Sequence, residues 1–207
     1  MTPPVGLWVK ICGVRNADAA LAAVDAGADA VGVNFVSWSR RVVDEDTAAA
    51  IVRALPADFP VFGVFADAGR AAVAETVERT GISGIQFHGD EGDEDVAGWE
   101  LPVIRAVRAT SAAAVADAVR AARGYRLLLD SPRGGGSGTR IADDALAGAE
   151  LGGAIVAGGL TASNVAAIVS RLRPYGVDTA GGVEDERGQK DAAAMAAFVM
   201  HARSAFA

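Results

Sequence analysis

"WVKICGVRNADAALAAVDAGADAVGVNF", residues 8–35, decides how the rest of the chain is read. It begins and ends in short, almost continuously apolar runs, "WVKICG" and "AVGVNF", as expected of parallel strands covered on both faces. Between them, "DAALAAVDAG" brings apolar residues back at three- and four-residue spacings, the pattern of a helix that lays one side on a core. Gly27 ends that helix, because glycine accepts the left-handed backbone conformation at low cost. Strand, helix and strand in so short a span make a βαβ unit, the crossover that two neighbouring parallel strands require.

The alternation continues to the end of the chain. Strand-like runs recur as "VFGVF" (61–65), "GIQFHG" (84–89), "PVIRAV" (102–107), "RLLLD" (126–130), "GAIVAGG" (153–159) and "GVDTAGG" (176–182), which makes eight with the first two. Ala-rich helical stretches such as "DTAAAIVRAL" (46–55) separate them. Asp46 or Thr47 is placed to cap the second helix, and Ser163 or Asn164 the one over "VAAIVSRLR". Gly81 is placed to end the third, and the last is expected to start near Asp191. Eight βα units in 207 residues predict an α/β fold, a single (β/α)8 TIM barrel over residues 1–207. An open doubly wound sheet is the alternative, but no Gly-x-Gly-x-x-Gly fingerprint follows the first run. "PRGGGSGTR" (132–140) reads as a mobile loop.

Composition narrows the function. Apolar residues at 51% and charged residues at 22% describe a globular chain. A net charge of −7 argues against a nucleic-acid partner, which calls for a basic face. It leaves open a small anion held by backbone N–H groups. The single cysteine excludes an internal disulfide and fits a reducing compartment. No apolar run approaches the roughly 18 residues of a spanning helix, and "MTPPVGLWVK" lacks the basic and apolar regions of a signal peptide. The expectation is a cytoplasmic protein with no membrane partner.

Active sites of (β/α)8 barrels lie at the C-terminal ends of the strands, so polar residues there are the candidates. The first run offers Lys10 and Cys12; the loop after the second offers Trp38, Arg40 and Arg41. The third run leads to Asp67, the fourth to Gln86, His88, Asp90 and Glu91, the fifth to Arg105 and Arg108. The sixth ends in Asp130 and the eighth holds Asp178. Gly158 and Gly159 close the seventh run, and Gly181 and Gly182 follow the eighth. Glycine pairs make tight turns, but they also let backbone N–H groups approach an anion, and these positions are where barrels commonly bind phosphate. A lone cysteine is as readily a small core hydrophobe as a reactive thiol. Cys12 and Asp130 nevertheless form a candidate base and acid from strands across the barrel mouth, with Lys10 or Arg41 as the cation that favours a thiolate. His88 is a candidate for proton transfer or for scaffold hydrogen bonding. No His, Asp and Glu cluster has metal-ligand spacing, so no metal is expected.

These residues carry a family resemblance. "VKICGVRNADAA", "GADAVGVNF…SRRVV", "IQFHGDE", "LLLD…GGSGT", "AGGLTASNV" and "VDTAGGVEDERGQKD" occur in order over nearly the whole chain, which resembles the phosphoribosylanthranilate isomerases of tryptophan biosynthesis. The resemblance implies an Amadori rearrangement of a phosphorylated aminosugar without a cofactor. It implies that Asp130 is the general acid on the furanose oxygen and that Cys12 is the general base on sugar carbon 2. It further implies that Arg41 binds the anthranilate carboxylate and that the glycine pairs hold the phosphate. The chain departs from the family pattern at Ala180–Gly182, where two hydroxyl residues are usual, at Ile141–Asp143 and at Val42. Two other readings therefore stand beside the first: a same-fold isomerase of a secondary pathway acting on a related aminosugar phosphate, and a non-catalytic barrel binding a phosphorylated ligand. Monomer and homodimer are both compatible with the sequence.

Overall fold

A computed structural model describes residues 6–131, 146, 151 and 153–206. "PRGGGSGTR" and Ile141–Asp143 lie outside the described residues. The elements run β1 (Trp8–Cys12), α1 (Ala17–Asp25), β2 (Ala30–Asn34), α2 (Glu45–Ala54), β3 (Val61–Phe65), α3 (Arg70–Thr80), β4 (Gly84–Phe87) and the single turn α4 (Asp93–Val96). They continue with β5 (Val103–Arg108), α5 (Ala112–Ala121), β6 (Arg126–Asp130), β7 (Ala154–Val156), α6 (Val165–Leu172), β8 (Gly176–Thr179) and α7 (Ala192–Phe206). The eight strands pair in chain order, all parallel, and β8 closes on β1. All eight apolar runs are therefore barrel strands.

Side chains alternate along a strand, so each strand supplies two different surfaces. Val9, Ile11, Val31, Val33, Ile85, Leu127 and Leu129 belong to the larger core, packed with helix residues such as Ala20, Ile51 and Phe198. Trp8, Ala30, Phe62, Ile104, Leu128, Ile155 and Tyr175 form a separate cluster that plugs the barrel interior. The Trp8 ring stands edge-on to Phe62 with centroids 6.1 Å apart, and the tilted Tyr175 ring lies at the same distance. The same two-residue period carries β1 upward on the inside from Trp8 to Lys10 to Cys12. Lys10 is wholly buried, and its ammonium meets Asp178 Oδ1 at 2.5 Å, directly across the β1–β8 register. A third small cluster, Cys12, Val36 and Val64, marks where the plug gives way to the mouth.

The helix ends follow local hydrogen-bond chemistry, with two corrections to the sequence reading. Gly27 and Gly81 take left-handed conformations after α1 and α3, as expected, and Asp191 accepts from Ala194 N–H at the start of α7. The cap of α2 is neither Asp46 nor Thr47 but Asp44, whose carboxylate accepts from Thr47 N–H at 2.7 Å. Thr47 is the third helical residue, where the helix needs an acceptor and has none of its own. At α6, Asn164 precedes the helix, but neither it nor Ser163 caps it through a side chain. The Asn164 amide accepts from Thr161 N–H and donates to the Gly159 carbonyl, tying down the turn after β7 instead.

If the interior plug is the foundation of the barrel, Trp8→Ala destabilises the protein by about 3–5 kcal/mol. Urea unfolding measures this, and a change below about 1 kcal/mol contradicts the assignment.

Candidate active site

A cavity of about 830 Å³ opens at the C-terminal ends of the strands. Inward-facing residues of β1, β2, β3, β4, β5, β6 and β8 reach it as Cys12, Asn34, Val64, Gln86, Arg108, Asp130 and Asp178. Gly158, Gly159, Gly181, Gly182, His88, Arg40, Arg41 and Trp38 line it from the loops. The structure thus brings together the site candidates of the sequence except Lys10, which lies immediately beneath, and Glu91 and Arg105, which do not line this cavity. β6 lies three strands from β1 around the closed barrel, one short of diametrically opposite, so Cys12 and Asp130 come from facing walls.

Asp130 is buried and held from two sides. Oδ1 accepts from Ser131 N–H at 2.7 Å, and Oδ2 lies 3.0 Å from His88 Nε2. Gln86 Nε2 lies 3.0 Å from His88 Nδ1. With the amide donating, Nδ1 is the acceptor and Nε2 carries the ring proton toward Asp130. His88 is in this arrangement a support for Asp130. Glu91 of the "FHGDE" stretch is structural, whereas Asp90 lines the cavity and gives the loop its backbone N–H. Buried Glu91 accepts from Asp67 N–H and Gly89 N–H, both at 2.9 Å, and Asp67 Oδ1 accepts from Asp90 N–H. Asp67 adopts a left-handed φ of 55°, and this clamp is what holds it there.

The opposite wall is organised by a residue to which the sequence reading gave no role. Glu184, just beyond the turn that contains Gly181 and Gly182, receives Arg41 Nε at 2.5 Å and Arg41 Nη2 at 2.9 Å. It also receives Arg40 Nη2 at 2.6 Å and Lys190 Nζ at 3.0 Å. Among the described residues, Arg41 Nη1 has no hydrogen-bond partner. Lys190 donates as well to the Ala180 carbonyl, directly before the glycine pair. Desolvation pushes the Glu184 pKa up, but Arg41 and Lys190 more than offset this and hold it below the usual carboxylate value. The readable signal was a carboxylate placed just after two glycines and six residues before a lysine, opposite an arginine-rich loop.

The glycine pairs differ in what they do. Gly158 and Gly159 take left-handed φ values of 82° and 65°. A Cβ on Gly182 would stand 1.8 Å from the Leu160 carbonyl oxygen, so this glycine lets the β8 turn press against the β7 loop. Among the described residues, no hydrogen bond runs from the N–H groups of Gly158 and Gly159 to a protein acceptor. The cavity therefore presents free backbone donors beside three cations that share one carboxylate. Among the described residues, no group of three His, Cys, Asp or Glu side chains could hold a metal ion, and no helix is long and apolar enough to cross a membrane.

Residues 9–201 match the family described as N-(5'phosphoribosyl)anthranilate (PRA) isomerase. The chain belongs to the phosphoribosylanthranilate isomerase family. The N-(5'-phosphoribosyl)anthranilate isomerase of Myxococcus xanthus is 44% identical over 207 residues, covering 95% of this chain and 96% of that protein. Among solved structures, the phosphoribosylanthranilate isomerase of Thermus thermophilus superposes with a TM-score of 0.84 at 32% identity, over 96% of this chain and 99% of that one. A phosphoribosylanthranilate isomerase in complex with reduced 1-(o-carboxyphenylamino)-1-deoxyribulose 5-phosphate superposes with a TM-score of 0.80 at 28% identity, over the same shares. The barrel and the isomerase family expected from the sequence are thus both found.

Glu184→Gln keeps the shape and removes the charge on which Arg41 and Lys190 converge. It should lower stability at neutral pH by about 2 kcal/mol, the scale of hydrogen bonds to charged groups. Because the folded-state pKa of Glu184 is depressed, this contribution is present above the ordinary glutamate value and is lost as pH falls through the folded value. Urea unfolding of both proteins across the acid range should show the difference shrinking as pH falls. A constant difference contradicts the electrostatic assignment.

Proposed function

We propose that this chain, acting as a single domain in the cytoplasm, catalyses the Amadori rearrangement of N-(5'-phosphoribosyl)anthranilate to 1-(2-carboxyphenylamino)-1-deoxyribulose 5-phosphate in tryptophan biosynthesis. The observation that carries the reading is the meeting of Cys12, Asp130 and four glycines around one cavity, in a chain of this family. The phosphate of the substrate sits on the N–H groups of Gly158, Gly159, Gly181 and Gly182. These neutral donors suit an anion that must be released again after turnover. The carboxylate at the aryl end pairs with Arg41, whose orientation Glu184 fixes. Anchoring both ends sets the sugar carbons between the two walls and removes most of the entropy of alignment.

Asp130 protonates the ring oxygen as the amine nitrogen lone pair breaks the bond between that oxygen and carbon 1. The product is an open-chain iminium. The Cys12 thiolate then removes the proton from carbon 2. The electron pair of that C–H bond forms the carbon 1–carbon 2 double bond, and the iminium nitrogen regains its lone pair. The enolamine relaxes to the ketone by gaining a proton at carbon 1 and losing the hydroxyl proton at carbon 2. No external oxidant or reductant enters, since carbon 1 is reduced as carbon 2 is oxidised. His88 and Ser131 N–H keep the Asp130 carboxyl aimed at the cavity through the cycle. The placement of Cys12 and Asp130 on facing walls of one cavity supports an enzyme over a silent ligand-binding barrel.

Asp130→Asn tests the reading. The amide still accepts from Ser131 but carries no carboxylic proton. Turnover, followed as loss of phosphoribosylanthranilate fluorescence, should fall by about 10²–10⁴-fold with the Michaelis constant little changed. Activity above a tenth of the native protein's would show that the acid lies elsewhere.

A further inference from the structure

Directly beneath the thiol lies a charge pair that the proposed mechanism leaves unused. We infer that Lys10 is the positioning residue that makes the Cys12 thiolate attainable, and that Asp178 limits how strongly it does so. The inference rests on the reading of Cys12 as the base.

The fold puts these groups together by necessity. Lys10 precedes Cys12 by one inward-facing step on β1, and its side chain has no access to water. An ammonium there requires partners, and Asp178 supplies one at 2.5 Å. The ammonium has two further donors, and Cys12 Sγ and Lys10 Nζ both border the same small space beside Gly32. Gly32, opposite Cys12 in the β1–β2 register, keeps the space between them open. A Cβ on Gly32 would stand 2.8 Å from Cys12 Sγ and 3.3 Å from Lys10 Nζ. No side chain from β2 therefore intervenes between thiol and ammonium.

The electrostatics agree with the geometry. Burial pushes the Cys12 pKa above the ordinary thiol value; Lys10 opposes that rise, and Asp178 adds to it. Burial by itself would lower the Lys10 pKa, but Asp178 and Cys12 together hold it above the ordinary lysine value, so the ammonium keeps its proton. Of the other charged groups around Cys12, Lys190 beyond β8 also favours the thiolate, and Arg41 from the loop after β2 is bonded to Glu184. β2 itself contributes no titratable group at this level. A base for a carbon-bound proton must be ionised and yet remain strongly basic. A bare ammonium beside the sulfur gives a stable but weak base, whereas no ammonium leaves a thiol. Sharing Lys10 with Asp178 places Cys12 between these extremes. The thiol proton leaves to the water of the cavity, and Lys10 passes none on.

The test is the pH dependence of iodoacetamide alkylation of the intact protein, in which the thiolate sulfur bonds to the reagent's carbon and iodide departs. Lys10→Met should raise the alkylation midpoint by about one pH unit or more, slowing the reaction at neutral pH roughly tenfold. Asp178→Asn should lower the midpoint. The charge-free double variant Lys10→Met/Asp178→Asn should fall between the native protein and Lys10→Met, and it reads the effect even where the single lysine variant does not fold. Opposite shifts from two residues in contact are not produced by loosened packing. Unchanged midpoints, or two shifts of the same sign, overturn the inference. Isomerase activity measured on the alkylated native protein keeps the two claims apart: persistent turnover removes Cys12 as the base, while the midpoints still report on Lys10 and Asp178.

Discussion

The pairing of Lys10 with Asp178 is the constraint around which the site is built. A closed barrel sends every second residue of each strand inward, and only the top layer meets water. On β1 this rule delivers a tryptophan, a lysine and a cysteine in succession. The tryptophan is accommodated by Phe62 and Tyr175. The lysine sits one layer higher with no access to solvent, where an unpaired ammonium would cost several kcal/mol. Asp178, brought opposite by the β1–β8 closure, answers that cost. The pair forms the floor on which the cavity rests, with apolar packing below and reacting groups above.

Above that floor, local charge departs from the charge of the whole. The chain carries −7 overall, yet Arg40, Arg41 and Lys190 converge on the single carboxylate of Glu184 at one side of the cavity. They gather positive charge beside the glycine turns at one rim of an acidic protein. Glu184 joins the loop after β2 to the turn after β8. The residue proposed for the aryl carboxylate and the glycines proposed for the phosphate are therefore held by one network.

The eight strands were legible because parallel barrel strands are buried on both faces and read as unbroken apolar runs. That Cys12, Asp130 and the glycine pairs meet at one cavity was legible because the fold fixes where strand ends go. The α2 cap was misplaced because Asp44, Asp46 and Thr47 are all competent cap residues, and only the backbone geometry decides which of them stands outside the helix. Asn164 was credited with capping because the sequence does not show that Gly159 offers its amide a competing carbonyl. The short spacing from the glycine pair to Glu184 and Lys190 is visible in the sequence, but the tie to Arg41, 143 residues away, is made only by the fold. Asp67, Asp90 and Glu91 stood out as polar strand-end residues. Their carboxylates and N–H groups close a loop clamp, a use that composition cannot separate from chemistry.

The central claim is that the one cysteine of this chain is a base and not a filler of the barrel mouth. Turnover of Cys12→Ala with phosphoribosylanthranilate tests it most directly, because the side chain is small and its loss leaves the core below untouched. The account predicts a folded protein that still binds substrate and has lost at least about 10²-fold in kcat. A folded Cys12→Ala protein that isomerises its substrate at a rate near that of the native chain would contradict it.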